Sequence, residues 1–371
     1  MNPLFQRLMN EATRLTRGGN LQDATDAIQR ALRGEPSVAS APTPMPAADA
    51  PPHHAAVVID VPARVVGDEA VPMQRTDSAS EQWTDGSFTH QGRTLAYKLY
   101  LPPAARAIAD APQRLPLVLM LHGCTQNPDD FAAGTQMNTL ARELGVAVLY
   151  PAQTQPANPQ KCWNWFKPQH QQRGRGEPAA LVALTQSVMA ANGIDPARVY
   201  VAGLSAGGAM ADILGRSYPD VFAAVGVHSG LPAGAAHDVM SAMAAMHGGP
   251  AMAHRTDASP MPPLIVFHGD ADATVSARNG EAVVAGALGA RNAGDAAPQR
   301  AAEGASAGGQ RFTRTVYAAA DGHQAVEYWQ LHGAGHAWSG GSARGSFTDP
   351  RGADASSEML RFFLAHPKAN A

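Results

Sequence analysis

The chain reads as an α/β protein: a mostly parallel central sheet with helices on both faces. Three observations carry that reading. First, apolar runs at 117–121, 146–150, 199–202, 221–227, 264–267 and 326–331 alternate with helix-length segments at 131–144, 179–192, 207–217, 277–288 and 356–365. Continuous runs of this length suit strands buried on both faces, and the alternation suits helical crossovers between parallel strands. Second, Gly203-Leu204-Ser205-Ala206-Gly207 stands between one such run and a helix-compatible stretch. Strand, sharp turn and helix then follow one another, with a serine at the apex. Third, 45% of the residues are hydrophobic and only 16% charged, which suits a large buried core and not a disordered chain.

The elements divide the 371 residues into three parts. Residues 1–34 read as a helical hairpin. Phe5, Leu8, Met9, Ala12 and Leu15 share one face, Leu21, Ala24, Ile28 and Leu32 share a second, and Gly18-Gly19-Asn20 breaks between them. A single unit of this kind cannot bury its own apolar face, so it is expected to dock, to self-associate or to touch a partner. Residues 35–82 are rich in proline and alanine, including Pro36, Pro42, Pro44, Pro46, Pro51 and Pro52, and read as a linker. Residues 83–371 form the main domain, with an early strand at 94–101. Within it, 235–260 falls outside the strand pattern and is expected to cover the site. The alanine- and glycine-rich stretch 289–310 is expected to be an irregular surface insertion.

A net charge of −3 gives no basic surface for nucleic acid or an anionic membrane. No apolar stretch reaches membrane-spanning length. The first 17 residues carry charges throughout and lack the apolar core of a secretory signal.

Ser205 needs a base, because a free hydroxyl is scarcely ionised at neutral pH. For a serine on such a turn, the carboxylate and then the histidine follow later in the chain. Two aspartates, Asp270 and Asp272, follow the run at 264–267. Asp270, next to the turn glycine, is suited to hold backbone amides, so Asp272 is the preferred acid. After the run at 326–331 comes His332-Gly333-Ala334-Gly335-His336. The glycines leave the loop free to carry an imidazole toward Ser205, and His336 is the candidate base. His332 lies on the strand side, where packing suits it better. The glycines also break the rigid helical spacing that a metal-binding histidine pair exploits, and no metal or cofactor is expected. The backbone N–H of Ala206 is one candidate oxyanion donor. The N–H of Cys124, in His122-Gly123-Cys124 after an early strand, is the second.

Four motifs together are more specific than the turn alone: His122-Gly123-Cys124, Cys162-Trp163-Asn164-Trp165-Phe166, Gly203-Leu204-Ser205-Ala206-Gly207-Gly208 and Gly335-His336-Ala337-Trp338. In this order they resemble the polyhydroxybutyrate depolymerase esterase family of the α/β-hydrolase fold, whose relatives act on feruloyl or acetyl esters of plant polysaccharide. The resemblance spans about 83–365. It implies a Ser205–Asp272–His336 triad, Cys124 as oxyanion donor, a Cys124–Cys162 disulfide and an extracellular setting, while the lack of a signal core leaves a cytoplasmic setting, another export route or a different start open.

The implied substrate is an uncharged carboxylic ester: polyester or its oligomers, or a polysaccharide-linked ester. Because the chain stops soon after its last helix, amorphous polymer, soluble oligomers and small esters are expected to suit it better than crystalline polymer. In a chain with 6% aromatics, Trp163, Trp165, Phe166 and Trp338 cluster near the expected site. Trp163 and Trp338 are the foremost candidates to line it. Asn164 is a candidate to bond the substrate or to brace its loop. A different class of function, a granule-binding protein docking through residues 1–34, is the competing expectation.

Overall fold

A computed structural model of the chain describes residues 80–103, 114–248, 261–289, 298–318 and 324–368. The expected hairpin at 1–34 and most of the expected linker lie outside them. Ten strands form one sheet: β1 (Gln82–His90), β2 (Arg93–Leu101), β3 (Leu115–Leu121), β4 (Ala147–Pro151), β5 (Ile194–Leu204), β6 (Ala224–His228), β7 (Leu264–Gly269), β8 (Pro298–Ala305), β9 (Arg311–Ala318) and β10 (Gln324–Leu331). Their spatial order is β1-β2-β4-β3-β5-β6-β7-β10-β9-β8. The six strands from β4 to β10 run parallel, and an antiparallel pair flanks each end.

The period-2 alternation of strand side chains sorts the core into two layers. Leu117, Leu119, Leu121, Val199, Val201, Val225, Val227, Leu264 and Val266 face one side. There they meet Leu181, Leu184 and Val188 of α3 (Gly176–Ala191), Met210, Ile213 and Leu214 of α4 (Ala206–Ser217), and Val283 and Ala287 of α6 (Arg278–Gly289). Val118, Met120, Val148, Tyr150, Tyr200, Ala202, Ile265 and Phe267 face the other. They pack on α1 (Pro128–Thr135), α2 (Met137–Leu144) and α7 (Ala355–Leu364). The central parallel strands are therefore buried on both faces, as their unbroken apolar runs suggested.

Three elements differ from expectation. The helix expected over 131–144 is two helices, because Gln136 adopts a left-handed conformation (φ 54°, ψ 20°) between them. The carbonyls of Gly134 and Thr135 bond the Ser342 amide and the Ser356 hydroxyl, at 2.7 Å each. Long-range partners thus satisfy groups that a continuous helix would have used. In the stretch expected to be an irregular insertion, 298–305 forms β8, which is ordered by pairing with β9 and not by its own propensity. The edge strand β1 carries mostly exposed polar residues and offered no apolar signal. Its Trp83 packs edge-on against Tyr150 with the Lys98 ammonium over its ring.

Residues 239–246, in the segment expected to cover the site, form α5 (Val239–Met246), capped by Asp238. Its last turn is tied to the loop after β7: Ser276 N–H donates to the Met246 carbonyl at 2.8 Å and Asn279 Nδ2 to the Ala245 carbonyl at 2.9 Å. Among the described residues, no helix is long and apolar enough to cross a membrane.

Candidate active site

Because β3, β5, β7 and β10 run parallel, the loops that follow them gather at one edge of the sheet. Ser205 follows β5, Asp272 follows β7 and His336 follows β10. Ser205 sits at φ 57°, ψ −119°, a backbone state that a non-glycine residue rarely occupies. Two tight approaches hold it there. A Cβ at Gly203 would collide with the backbone of Gly207, and a Cβ at Gly207 would collide with the carbonyl of Leu121. The spacing of the two glycines around the serine is therefore a steric requirement of strand and helix meeting at this turn. The Ser205 amide donates to the His228 carbonyl at 2.9 Å, anchoring the turn to β6.

His336 donates from Nδ1 to Asp272 Oδ2 at 2.7 Å. Asp272 Oδ1 accepts the amides of Thr274 at 2.9 Å and Val275 at 2.8 Å. Burial would push this carboxyl up, but the bond and charge of His336 and the Val275 amide hold it below the usual carboxylate range. The arrangement fixes the imidazole with Nε2 free to accept a proton. The Ser205 hydroxyl, on a residue 9% exposed, makes no hydrogen bond to His336 here. Bonds of this kind commonly tighten only in the complex with substrate.

Asp270 and His332 make a separate pair. His332 Nδ1 bonds Asp270 Oδ2 at 2.9 Å, the Gly333 amide donates to Asp270 Oδ1 at 2.6 Å, and His332 Nε2 lies 2.8 Å from Thr313 Oγ1. They hold the turn between β9, β10 and the loop after β7, and neither reaches His336.

On the other side of Ser205, the loop after β3 carries Cys124, bonded to Cys162 in a disulfide. Among the described residues, the amides of Cys124 and Ala206 donate to no carbonyl or side chain, so both N–H groups remain available. His122 braces this loop. Its Nδ1 donates to the Gly123 carbonyl at 2.7 Å and its Nε2 accepts the Gln153 amide at 3.1 Å. Burial pushes the imidazole down to about 4 and keeps it neutral in this tautomer. The Gly123 amide in turn donates to Gln126 Oε1 at 2.9 Å.

The aromatic expectation is corrected. Trp163 and Trp338 are fully buried at 0% exposure, so neither presents a ring face to a ligand. Trp163 leans on His122, with ring centroids 5.5 Å apart. Trp338 stacks on His228 at 5.1 Å and donates its indole N–H to Ser356 Oγ at 3.0 Å. Both support the loops that carry the site. Asn164 is corrected to the bracing role. It is 2% exposed and donates from Nδ2 to Glu177 Oε1 at 2.6 Å and from its amide to Glu177 Oε2 at 2.7 Å.

Sequence reasoning passed over His122, His228 and His268 as supports. Burial, with the charges of His268 and His336 added, pushes His228 down to about 3. Its Nε2 accepts the Ser339 amide at 3.0 Å, tying β6 to the loop after His336. A signal for these residues was present: Leu121-His122-Gly123, Val227-His228-Ser229, Phe267-His268-Gly269 and Leu331-His332-Gly333 each end an apolar run with a histidine and a small residue. Gln153 and Glu177 carried no such mark.

A serine on a strained strand-to-helix turn, with an Asp–His pair arriving from later strands of a parallel sheet, defines the α/β-hydrolase fold. The acetyl xylan esterase from Aspergillus awamori shares it, with a TM-score of 0.57 at 19% identity over 77% of this chain and 99% of that one. Residues 95–311 match the model of the family described as esterase PHB depolymerase, and the chain belongs to that family. Poly(3-hydroxyalkanoate) depolymerase C from Paucimonas lemoignei is 33% identical over 239 residues, 61% of this chain and 55% of its own. Feruloyl esterase B from Thermothelomyces thermophilus is 34% identical over 128 residues, 34% of this chain and 43% of its own. The chain thus spans about half the length of these two relatives.

Proposed function

We propose that the protein is a serine esterase that hydrolyses carboxylic esters through an acyl-enzyme. The observation that carries this reading is the 2.7 Å bond between His336 and Asp272 at the sheet edge where the strained Ser205 turn also lies. Ser205 Oγ attacks the ester carbonyl while His336 Nε2 takes its proton, and Asp272 stabilises the resulting imidazolium. The carbonyl oxygen gains the negative charge and is met by the N–H groups of Cys124 and Ala206, each worth about 3 kcal/mol of barrier. The tetrahedral intermediate collapses, the C–O bond to the alcohol breaks, and His336 returns its proton to the departing alkoxide. Water, deprotonated by the same imidazole, then releases the acid and restores the serine.

The preferred substrate is a poly(3-hydroxybutyrate)-type polyester or its oligomers. Support comes from the depolymerase relative and from α5, which leaves Val239, Met240 and Met243 exposed at 58%, 76% and 55% beside the loop that carries Asp272. A feruloyl or acetylxylan ester is the second reading, favoured by the feruloyl esterase relative. The disulfide supports an extracellular setting. Contact with polymer granules through residues 1–34 is part of the same proposal.

A panel of p-nitrophenyl butyrate, amorphous polyhydroxybutyrate, a hydroxybutyrate trimer and methyl ferulate, assayed with wild type beside Ser205→Ala, tests these readings. The expected result is turnover of the trimer above that of ferulate, and loss of all activities by several orders of magnitude in Ser205→Ala. Ferulate ahead by orders of magnitude would replace the polyester reading with the carbohydrate-ester one. Full activity in Ser205→Ala would overturn the mechanism. Deleting residues 1–34 tests granule contact, and unchanged adsorption to granules would count against it.

A further inference from the structure

A fully buried carboxylate lies behind the oxyanion loop and takes no part in the mechanism above. Glu177 is the second residue of α3, where the helix N-terminus favours a negative charge. It is 0% exposed. Its Oε1 accepts Gln153 Nε2 at 2.7 Å and Asn164 Nδ2 at 2.6 Å, and its Oε2 accepts the Asn164 amide at 2.7 Å. His170 Nδ1 lies 3.2 Å from Oε2 and the Arg93 guanidinium 3.8 Å from Oε1. Burial would push the carboxyl up, but His170 and the bonds from Asn164 hold it below the usual range. An ion set this deep is costly unless its partners are fixed, so it fixes them in turn.

Two routes run from Glu177 to Cys124. Along the first, Glu177 holds the Gln153 side chain, the Gln153 amide donates to His122 Nε2, and His122 Nδ1 donates to the Gly123 carbonyl, which belongs to the same peptide group as the Cys124 N–H. Along the second, Glu177 holds both the amide and the side chain of Asn164, while Gln153 Nε2 also donates to the Cys162 carbonyl at 3.2 Å. That sets the segment whose Cys162 sulfur is bonded to Cys124. A donor aimed at a developing oxyanion must be held to within about 0.5 Å, and supporting hydrogen bonds supply that hold.

We infer that Glu177 is a positioning residue for the oxyanion hole, fixing the Cys124 amide through Gln153 and His122 on one side and through Asn164, Cys162 and the disulfide on the other. The inference rests on the serine-esterase reading and gives the Cys162–Phe166 motif a task other than substrate contact. Glu177→Gln keeps the shape but replaces one of the two accepting oxygens with an NH2, so that either the Gln153 and Asn164 side chains or the Asn164 amide then faces a donor.

The experiment compares wild type, Ser205→Ala, Glu177→Gln and Gln153→Met on p-nitrophenyl butyrate. Active sites are titrated with an organophosphonate, and inhibition by butylboronic acid, whose serine adduct places an oxygen in the oxyanion hole, is measured in parallel. Glu177→Gln is expected to lose roughly 10- to 100-fold in kcat, part of the 10²–10³ that removal of a whole donor costs. KM should stay within about twofold, because the donor acts on the transition state and not on ground-state binding. The inhibition constant of the boronate should rise in step with the loss in kcat, with the shape of the pH–rate profile unchanged. Gln153→Met, which breaks the link to Glu177 and leaves the carboxylate with its other partners, should change both quantities in the same direction. It decides the matter if Glu177→Gln does not fold. Variants that melt earlier but keep wild-type kcat per titrated site and wild-type boronate affinity would reduce Glu177 to a packing role and overturn the inference. A wild type that the phosphonate does not label, or a fully active Ser205→Ala, would sink the esterase reading itself and this inference with it, whatever Glu177→Gln does.

Discussion

Two aspartates two residues apart have different partners, and the partners separate their roles. Asp272 bonds His336 and two backbone amides, whereas Asp270 bonds His332 and the Gly333 amide. Asp272→Asn is expected to cut kcat by roughly 10⁴-fold, since an amide there favours the wrong imidazole tautomer. Asp270→Asn should leave kcat within a few-fold of wild type and lower Tm. Steady-state kinetics on a soluble ester with thermal melts of both variants check this, and equal losses would contradict the assignment. Ser205, Asp272 and His336 could be proposed from the sequence because chain order and the ends of strands place them, and the structure sets His336 on Asp272 and not on Asp270. The two tryptophans were misjudged because composition places aromatics near a site but does not say which way they point. Trp163 and Trp338 point inward, onto the histidines that support the loops.

At the scale of elements, the turn from β5 to α4 depends on contacts that no larger side chain can share. Gly207→Ala would drive a methyl into the Leu121 carbonyl. The methyl either forces the turn to open or displaces Ser205, so loss of folded yield or of phosphonate labelling is expected, measured by melting and by titration. Normal values of both would contradict the steric reading. The disulfide joins the loop after β3 to the segment before α3 across a sequence separation of 38. It contributes roughly 4 kcal/mol by loop entropy. Reduction should therefore lower Tm, and if the bridge also holds the Cys124 donor, kcat should fall at temperatures where the reduced protein is still folded. An unchanged kcat under those conditions would confine the bridge to stability. The buried strands β3 to β7 were legible as unbroken apolar runs. The edge strands β1 and β8 were not, because their order comes from pairing with β2 and β9 and not from burial of their own side chains.

Across the whole molecule, the site edge is underlaid by neutral buried histidines. In the folded chain, His122 is pushed from 6.5 down to about 4 and His228 from 6.5 down to about 3. The sign follows directly. Below pH 6.5 the unfolded chain takes up protons that the folded chain refuses, so stability falls as pH drops from about 6.5 toward 4. For His122 alone the loss is on the order of 3 kcal/mol. Asp272 and Glu177, both held below the usual carboxylate range, add a further loss only as pH falls below about 4. Melting curves should therefore show Tm declining well above the carboxylate range, and a Tm flat from pH 7 to 4.5 would contradict the buried-neutral assignment. The parallel sheet could be read from the sequence, because buried strands and helical crossovers alternate in pattern, and the loops proposed to carry the site follow from where those strands end. The polar supports of that edge could not, because Glu177, Gln153 and His122 are brought together only by tertiary packing. Phosphonate labelling of wild type and His336→Ala, followed by intact-mass and peptide mapping, tests most directly whether Ser205 is a nucleophile activated by His336. One adduct per chain on Ser205, matched by loss of esterase activity and formed at least 100-fold more slowly in His336→Ala, is the expected result on the scale of general-base catalysis. An adduct on another residue, or equal labelling rates in the two proteins, would contradict it.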